Sequence, residues 1–297
     1  GMAPPGQGPN NQFLGHALTV AEETGMTVLR GAATPAEGRE AVRDVASKGI
    51  SFIKIWVDDR GGTQRKLQPE VYRAIADEAR ARGIEVVVHQ QTAEDMSDLL
   101  GAGISGFLHG RLGQALDREL AEQIKEAGVF LVPNLGLGEL RGERVFDDPF
   151  LRESTSSDVL RRLEGDFDRR PPNPLGSDQE LARSTSLSRL SDAGVAIVLG
   201  TDAGAIPDHF FGYTGHRELE IFVRLGMTPM QAIMAGTSRA AENLGLDDLG
   251  VLRSGKSADF VVLDRNPLQD IRNTRTISHV YLAGREINRE ELRDRWN

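Results

Sequence analysis

The stretch Phe52-Ile53-Lys54-Ile55-Trp56-Val57 decides how the rest of the chain reads. It has the apolar, β-branched and aromatic character of a buried strand, yet a lysine stands in its middle. An ammonium group in such a place must be paired, carried to the surface or removed by chemistry, because leaving it buried and charged is costly. Two later strand-like runs end in histidine, Ile84-Glu85-Val86-Val87-Val88-His89 and Gly106-Phe107-Leu108-His109. A further run, Val195-Ala196-Ile197-Val198-Leu199-Gly200-Thr201-Asp202, ends in aspartate. In barrels of parallel strands the C-terminal strand ends form the active face, so Lys54, His89, His109 and Asp202 are expected at one rim as metal-binding or acid-base groups.

Between these runs lie helical patterns with their own start and stop signals. Thr34-Pro35-Ala36-Glu37 has the capping-box spacing with proline at the first helical position, and Gly49 closes the helix before the Lys54 strand. Pro69 opens a second helix with Val71, Ile75 and Ala79 on one face and Gly83 at its end. Thr92 begins a third, with Met96, Leu99 and Leu100 apolar, and Asp117 a fourth, followed by the strand Val129-Phe130-Leu131-Val132-Pro133. With Thr27-Val28-Leu29-Arg30 counted first, six strands separated by helices predict an α/β fold with a parallel sheet or barrel. Residues 135–180 break the rhythm as a long charged connection, the kind that serves as a lid or binding excursion. After Asp202, residues 215–226 and 229–245 read as two helices, and residues 251–287 as short strands of a small β module.

Composition narrows the function classes. The 297 residues carry 35 Lys plus Arg against 44 Asp plus Glu, a formal net charge of -9, which repels phosphate backbones and anionic membranes. Nucleic acid and membrane are therefore excluded as partners, and a small-molecule substrate is expected, with a homo-oligomer left open. The chain has no cysteine, so any metal must be held by nitrogen and oxygen donors. No apolar run approaches a membrane span and the opening residues have no signal-peptide pattern, which makes a cytoplasmic location the default expectation. The Pro/Gly-rich opening, Gly1-Met2-Ala3-Pro4-Pro5-Gly6, reads as a loop inside a domain.

Several motifs in the same order resemble the amidohydrolase superfamily, in the branch similar to imidazolonepropionase and metal-dependent prolidases. They are Phe52-Ile53-Lys54-Ile55, Val88-His89, Leu108-His109-Gly110, Gly200-Thr201-Asp202-Ala203-Gly204 and His216-Arg217-Glu218-Leu219. Gly226-Met227-Thr228-Pro229, Ala240-Ala241-Glu242-Asn243-Leu244-Gly245 and the run from Gly255-Lys256-Ser257-Ala258-Asp259 to Asp264 extend the likeness. The resemblance implies a (β/α)8 barrel of the TIM type, here as strands three to eight, with a remnant of a small β-sandwich module at the C-terminus. It divides the chain into a hydrolase barrel over residues 1–249 and the β module over residues 250–297.

The resemblance also implies the chemistry. Lys54, carbamylated, bridges two divalent ions, Zn2+ foremost; His89 and His109 hold one, and Asp202 contacts the other and takes the proton from the attacking water. The expected activity is hydrolysis of a C–N bond in a small amide, an aminoacyl or dipeptide substrate or a cyclic amide, with lactones suited to the same water attack. Gln91, Arg111, His209, Tyr213 and His216 are the candidate substrate contacts, although a helix-start hydrogen bond explains His216 equally well. The family's His-x-His pair is absent, and His16 stands alone. Three explanations stay open: a fragment of a longer hydrolase, a missing part supplied otherwise, or an impaired one-metal barrel that serves as a ligand-binding or assembly subunit.

Two other motifs carry nothing. Gly250-Val251-Leu252-Arg253-Ser254-Gly255-Lys256-Ser257 matches the P-loop pattern of nucleotide-binding proteins, but a strand follows where a helix must begin. Gly136-Leu137-Gly138 with Gly142 misses the dinucleotide spacing by one residue and is expected to be a turn.

Overall fold

The computed structural model describes residues 1–7, 19–25, 29–90, 92–109, 114–169, 176–206 and 208–295. The chain forms two compact units: residues 1–112, 116–133 and 192–196 make the first, and residues 113–115, 134–191 and 197–297 the second.

The first unit is α/β. Among the described residues its sheet has six strands, all parallel, in the order β2-β1-β3-β4-β5-β6: β1 Met2–Ala3, β2 Arg30–Gly31, β3 Phe52–Val57, β4 Glu85–Gln90, β5 Gly106–Leu108 and β6 Phe130–Val132. On β3 the pleat sends Ile53, Ile55 and Val57 into the core and leaves Phe52, Lys54 and Trp56 half-buried on the other face. The β3–β4 register pairs Lys54 with Val87 and Trp56 with His89, so lysine and histidine share that second face.

Helices α1 Pro35–Ser47, α2 Pro69–Arg80, α3 Ala93–Ala102 and α4 Arg118–Glu126 connect the strands. Their starts follow the caps expected from sequence: Thr34, Thr92 and Asp117 accept the amides of Glu37, Asp95 and Leu120. Glu37 completes its box one residue off, on the amide of Ala33 at 2.7 Å. Val71, Ile75 and Ala79 are buried on α2, and Gly38 lets α1 approach so closely that a Cβ there would meet Ile75 at 2.9 Å.

Two expectations about the sheet require correction, and a third falls partly outside the described residues. The opening is not a loop: Met2 and Ala3 are buried and pair as a strand between β2 and β3, the Ala32 amide donating to Ala3 at 2.9 Å. Of the strand expected at residues 27–30, Arg30 lies in β2, and residues 27 and 28 fall outside the described residues. The run ending at Asp202 forms only an isolated bridge at Ile197. Leu131 donates to the carbonyl of Ala196 at 2.9 Å, but the next contact goes elsewhere, the Leu199 amide being taken by the Ala235 carbonyl at a helix end.

The second unit is mostly helical. The stretch 135–180, expected as a long connection, contains short helical turns at Gly136–Glu139 and Pro149–Arg152, then α5 Ser157–Asp168 and the start of α6 Ser177–Ala193. Further on come α7 Tyr213–Arg224, α8 Pro229–Ala235 and α9 Ser238–Asn243. The last two replace one expected helix, which is interrupted where Thr237 leaves helical geometry with φ -130° and ψ -96°.

A three-stranded antiparallel sheet, β7 Phe260–Leu263, β8 Ile277–Leu282 and β9 Arg285–Glu286, agrees with the expected short strands, and helix α10 Arg289–Asp294 follows it. Phe260 and Tyr281 stack across β7 and β8 with ring centres 4.5 Å apart. The P-loop-like segment runs through turns into β7, and Lys256 bonds the carbonyl of Asp247, so no helix start faces a phosphate there. Among the described residues no helix is long and apolar enough to cross a membrane.

Candidate active site

In the first unit three adjacent parallel strands bring Lys54, His89 and His109 together. Lys54 lies in β3, His89 is the penultimate residue of β4, and His109 stands one position past β5. The backbone turns at His109, with φ 60°, while its amide still reaches the Val132 carbonyl on β6 at 2.9 Å. The two imidazole rings are 4.7 Å apart, tilted by 58°. Lys54 is close enough to act electrostatically on both.

Burial disfavours the protonated form of both imidazoles. Desolvation pushes His109 down to about 3, with His89 and Lys54 adding to the effect. Desolvation also lowers His89, partly offset by the 2.8 Å contact between its Nε2 and Asp58 Oδ2. A neutral imidazole is the form that binds metal, so the pair fits two positions of a nitrogen and oxygen donor site. Lys54 would be a third donor only as a carbamate, since an ammonium has no lone pair. Among the described residues no group of three or more His, Asp or Glu side chains is arranged to hold a metal.

Asp58 was not legible as a site residue. It follows β3 in Val57-Asp58-Asp59-Arg60, which looks like a solvated turn, yet its side chain is fully buried. Burial alone would raise its carboxyl, but the His89 hydrogen bond, the Arg60 amide and the Arg60 guanidinium together hold it below the usual range. Gln90, adjacent to His89 but on the opposite face of β4, is buried at 1 % exposure, and its amide has no hydrogen-bond partner among the described residues.

In the second unit Asp202 is exposed and sits at φ 54° in a tight corner, its carbonyl accepting the Ala205 amide at 3.0 Å. Asn134 has the same left-handed geometry, φ 50°. His209 is buried, and desolvation lowers it against the pull of Asp208 and Asp202. Tyr213 and His216, two candidate substrate contacts, have their polar atoms engaged inside this unit. The Tyr213 hydroxyl donates to Asp148 Oδ2 at 3.0 Å, and His216 Nδ1 pairs with Thr274 Oγ1 at 2.9 Å. Gln91, Arg111, Gly110 and His16 lie outside the described residues.

Glu218, also unannounced by its sequence context, is buried at 1 % exposure and accepts the amides of Leu135 and Gly136, each at 2.7 Å. Burial raises its carboxyl to about 7, even against those two hydrogen bonds. It fixes the first residues of the helical turn Gly136–Glu139.

The chain is similar to several known hydrolases. The ochratoxinase of Aspergillus niger is 26% identical over 266 residues, which are 84% of this chain and 48% of that protein. The chain thus spans about half the length of this curated relative. The imidazolonepropionase of Deinococcus deserti is 40% identical over 103 residues, 33% of this chain and 25% of that one. Among solved structures, a Xaa-Pro dipeptidase superposes with a TM-score of 0.66 at 27% identity, covering 87% of this chain and 59% of its own. The sequence pattern of the amidohydrolase family matches residues 10–287, nearly the whole chain, and on this ground the chain belongs to the amidohydrolase family, in the branch that resembles imidazolonepropionases and prolidases.

Proposed function

We propose that the chain carries the chemistry of a metal-dependent hydrolase that cleaves a C–N bond in a small amide, aminoacyl or dipeptide, or cyclic amide substrate. The observation that carries this reading is the convergence of Lys54, within β3, with two imidazoles at the C-terminal ends of the neighbouring parallel strands β4 and β5, where burial disfavours their protonation. The parallel sheet supports a (β/α)8 barrel, in which such strand ends form the active face.

In this reading His89 and His109 offer neutral nitrogen donors, and Lys54 joins them after its amine has combined with CO2 to form a carbamate. A bound divalent cation such as Zn2+ supplies Lewis-acid chemistry for attack of water on a carbonyl. Asp202, assigned through the motif Gly200-Thr201-Asp202, takes a proton from the attacking water and returns it to the departing amine. The balance is one amide plus one water giving one carboxylic acid and one amine.

The test is to strip the protein with a chelator, reload it with Zn2+, measure bound metal, and assay amides, Xaa-Pro dipeptides and cyclic amides. Metal uptake with hydrolysis that disappears in Lys54→Ala and Asp202→Ala is the expected result. A chain that takes up no Zn2+, or one whose hydrolysis survives both substitutions, overturns the reading in favour of a silent binding barrel.

A further inference from the structure

Beyond the four residues of the proposed site, one buried carboxylate is placed where it controls a donor. Trp56 pairs in register with His89, and Asp58 lies two residues past Trp56, so strand alternation brings Asp58 to the face that carries His89. All of its oxygens are in use. Oδ1 accepts the Arg60 amide at 2.7 Å, Oδ2 faces His89 Nε2 at 2.8 Å and Arg60 Nε at 3.2 Å, and the main-chain carbonyl accepts Gln64 Nε2 at 2.9 Å. A carboxylate paired with a guanidinium offers acceptors only. The shared proton of the Asp58–His89 contact therefore belongs to Nε2.

We infer that Asp58 is a positioning residue for His89: it binds the Nε2 proton, fixes the ring, and leaves Nδ1 as the lone-pair nitrogen that a divalent cation would meet. A metal-ligating histidine commonly donates its second nitrogen in this manner, and removing such a partner typically lowers metal affinity about 10- to 100-fold. The loop after β3 makes the arrangement rigid. Arg60 turns back at φ 52° and Asp59 accepts the Gly61 amide at 2.9 Å, so the carboxylate is anchored before any ligand arrives. The metal part of this inference rests on the proposed function; the tautomer does not.

The experiment is a nitrogen-15 NMR measurement of the histidine rings in the metal-free chain, followed by calorimetric titration with Zn2+. In the unaltered protein His89 is expected as the pure Nε2–H tautomer. Asp58→Asn and Asp58→Ala should mix the tautomers and weaken Zn2+ about 10- to 100-fold. Arg60→Ala, which keeps the Asp58–His89 pair, should leave the tautomer unchanged and affinity within about threefold of the parent.

An Nδ1–H tautomer in the unaltered chain overturns the inference, and so does an unchanged tautomer or undiminished Zn2+ affinity in folded Asp58 variants. Should neither variant fold, the spectrum of the unaltered chain still decides. Failure of the unaltered chain to bind Zn2+ sinks the hydrolase reading and leaves the tautomer result standing.

Discussion

Lys54 and Trp56 stand two residues apart on one face of β3, with the amine nitrogen of the lysine 4.8 Å from the centre of the indole ring. The ring offers the amine a favourable face worth about 0.5–2 kcal/mol, which offsets part of the cost of placing lysine in an apolar strand. Structure and chemistry are thereby separable at this position. Lys54→Met should keep the aliphatic packing, costing no more than about 1.5 kcal/mol in urea unfolding, yet remove Zn2+ uptake and hydrolysis. A variant that loses stability and metal binding together to a much larger extent would mean that the lysine serves the fold.

His216 and Glu218 lie on the same helix, α7, and respond to pH in opposite senses. Burial first and Arg275 second bring His216 down to about 4 from 6.5, so the unfolded chain binds more protons between those values. Its neutral form favours the fold above pH 6.5, and that contribution drains away as pH falls toward 4. Glu218, raised from 4.5 to about 7, binds its proton more tightly in the native state, so its effect declines as pH rises through the interval. Urea midpoints at pH 7.5 and 5 should show that His216→Asn loses less stability on acidification than the parent. Equal losses would refute the assignment.

Glu218 also has a part independent of pH. Glu218→Ala leaves the buried amides of Leu135 and Gly136 without their acceptor, and at roughly 1–3 kcal/mol for each the variant should lose on the order of 2–6 kcal/mol. Hydrogen exchange should quicken first at those two amides. Retained protection there would show that another group accepts them.

A further stability test concerns Gly106 on β5. A Cβ at this position would run into the Phe130 ring on β6, whose Cε1 it would meet at 2.7 Å, so Gly106→Ala should cost about 1–3 kcal/mol through overpacking. Thermal unfolding measures it, and Gly106→Ala with Phe130→Leu should recover most of the loss. No loss in the single variant would mean that the two strands can part at little cost.

How much of this could be read in advance depended on whether a residue's surroundings left a trace near it in sequence. β3 and β4 carry several residues of β-branched alternation, and α1 to α4 carry caps and stop signals, so their existence was plain from local pattern. Met2 and Ala3 are only two residues, too few for any period, and their strand exists because two neighbours offer unpaired backbone on both sides. The run to Asp202 is apolar enough for a strand, but Leu199 bonds to a helix end instead, a tertiary choice invisible in the segment. The helices within residues 135–180 were hidden by their charged surfaces and short length.

At the site the same division holds. Lys54, His89 and His109 were legible because each interrupts or ends an apolar run, and the structure brings these three together. Asp58 and Glu218 were missed because their burial comes from distant partners: His89 is 31 positions from Asp58, and the amides held by Glu218 are more than 80 positions away.

Arg60, His109, Asn134 and Asp202 share a left-handed backbone, with φ values of 52°, 60°, 50° and 54°. Asparagine, aspartate and glycine tolerate that conformation best, and β-branched residues tolerate it least. A mutant library aimed at new substrates should thus leave the proposed donor His109 and base Asp202 unchanged, offer Arg60 and Asn134 a narrow alphabet, and spend its diversity on neighbouring positions, where chain geometry imposes no such toll.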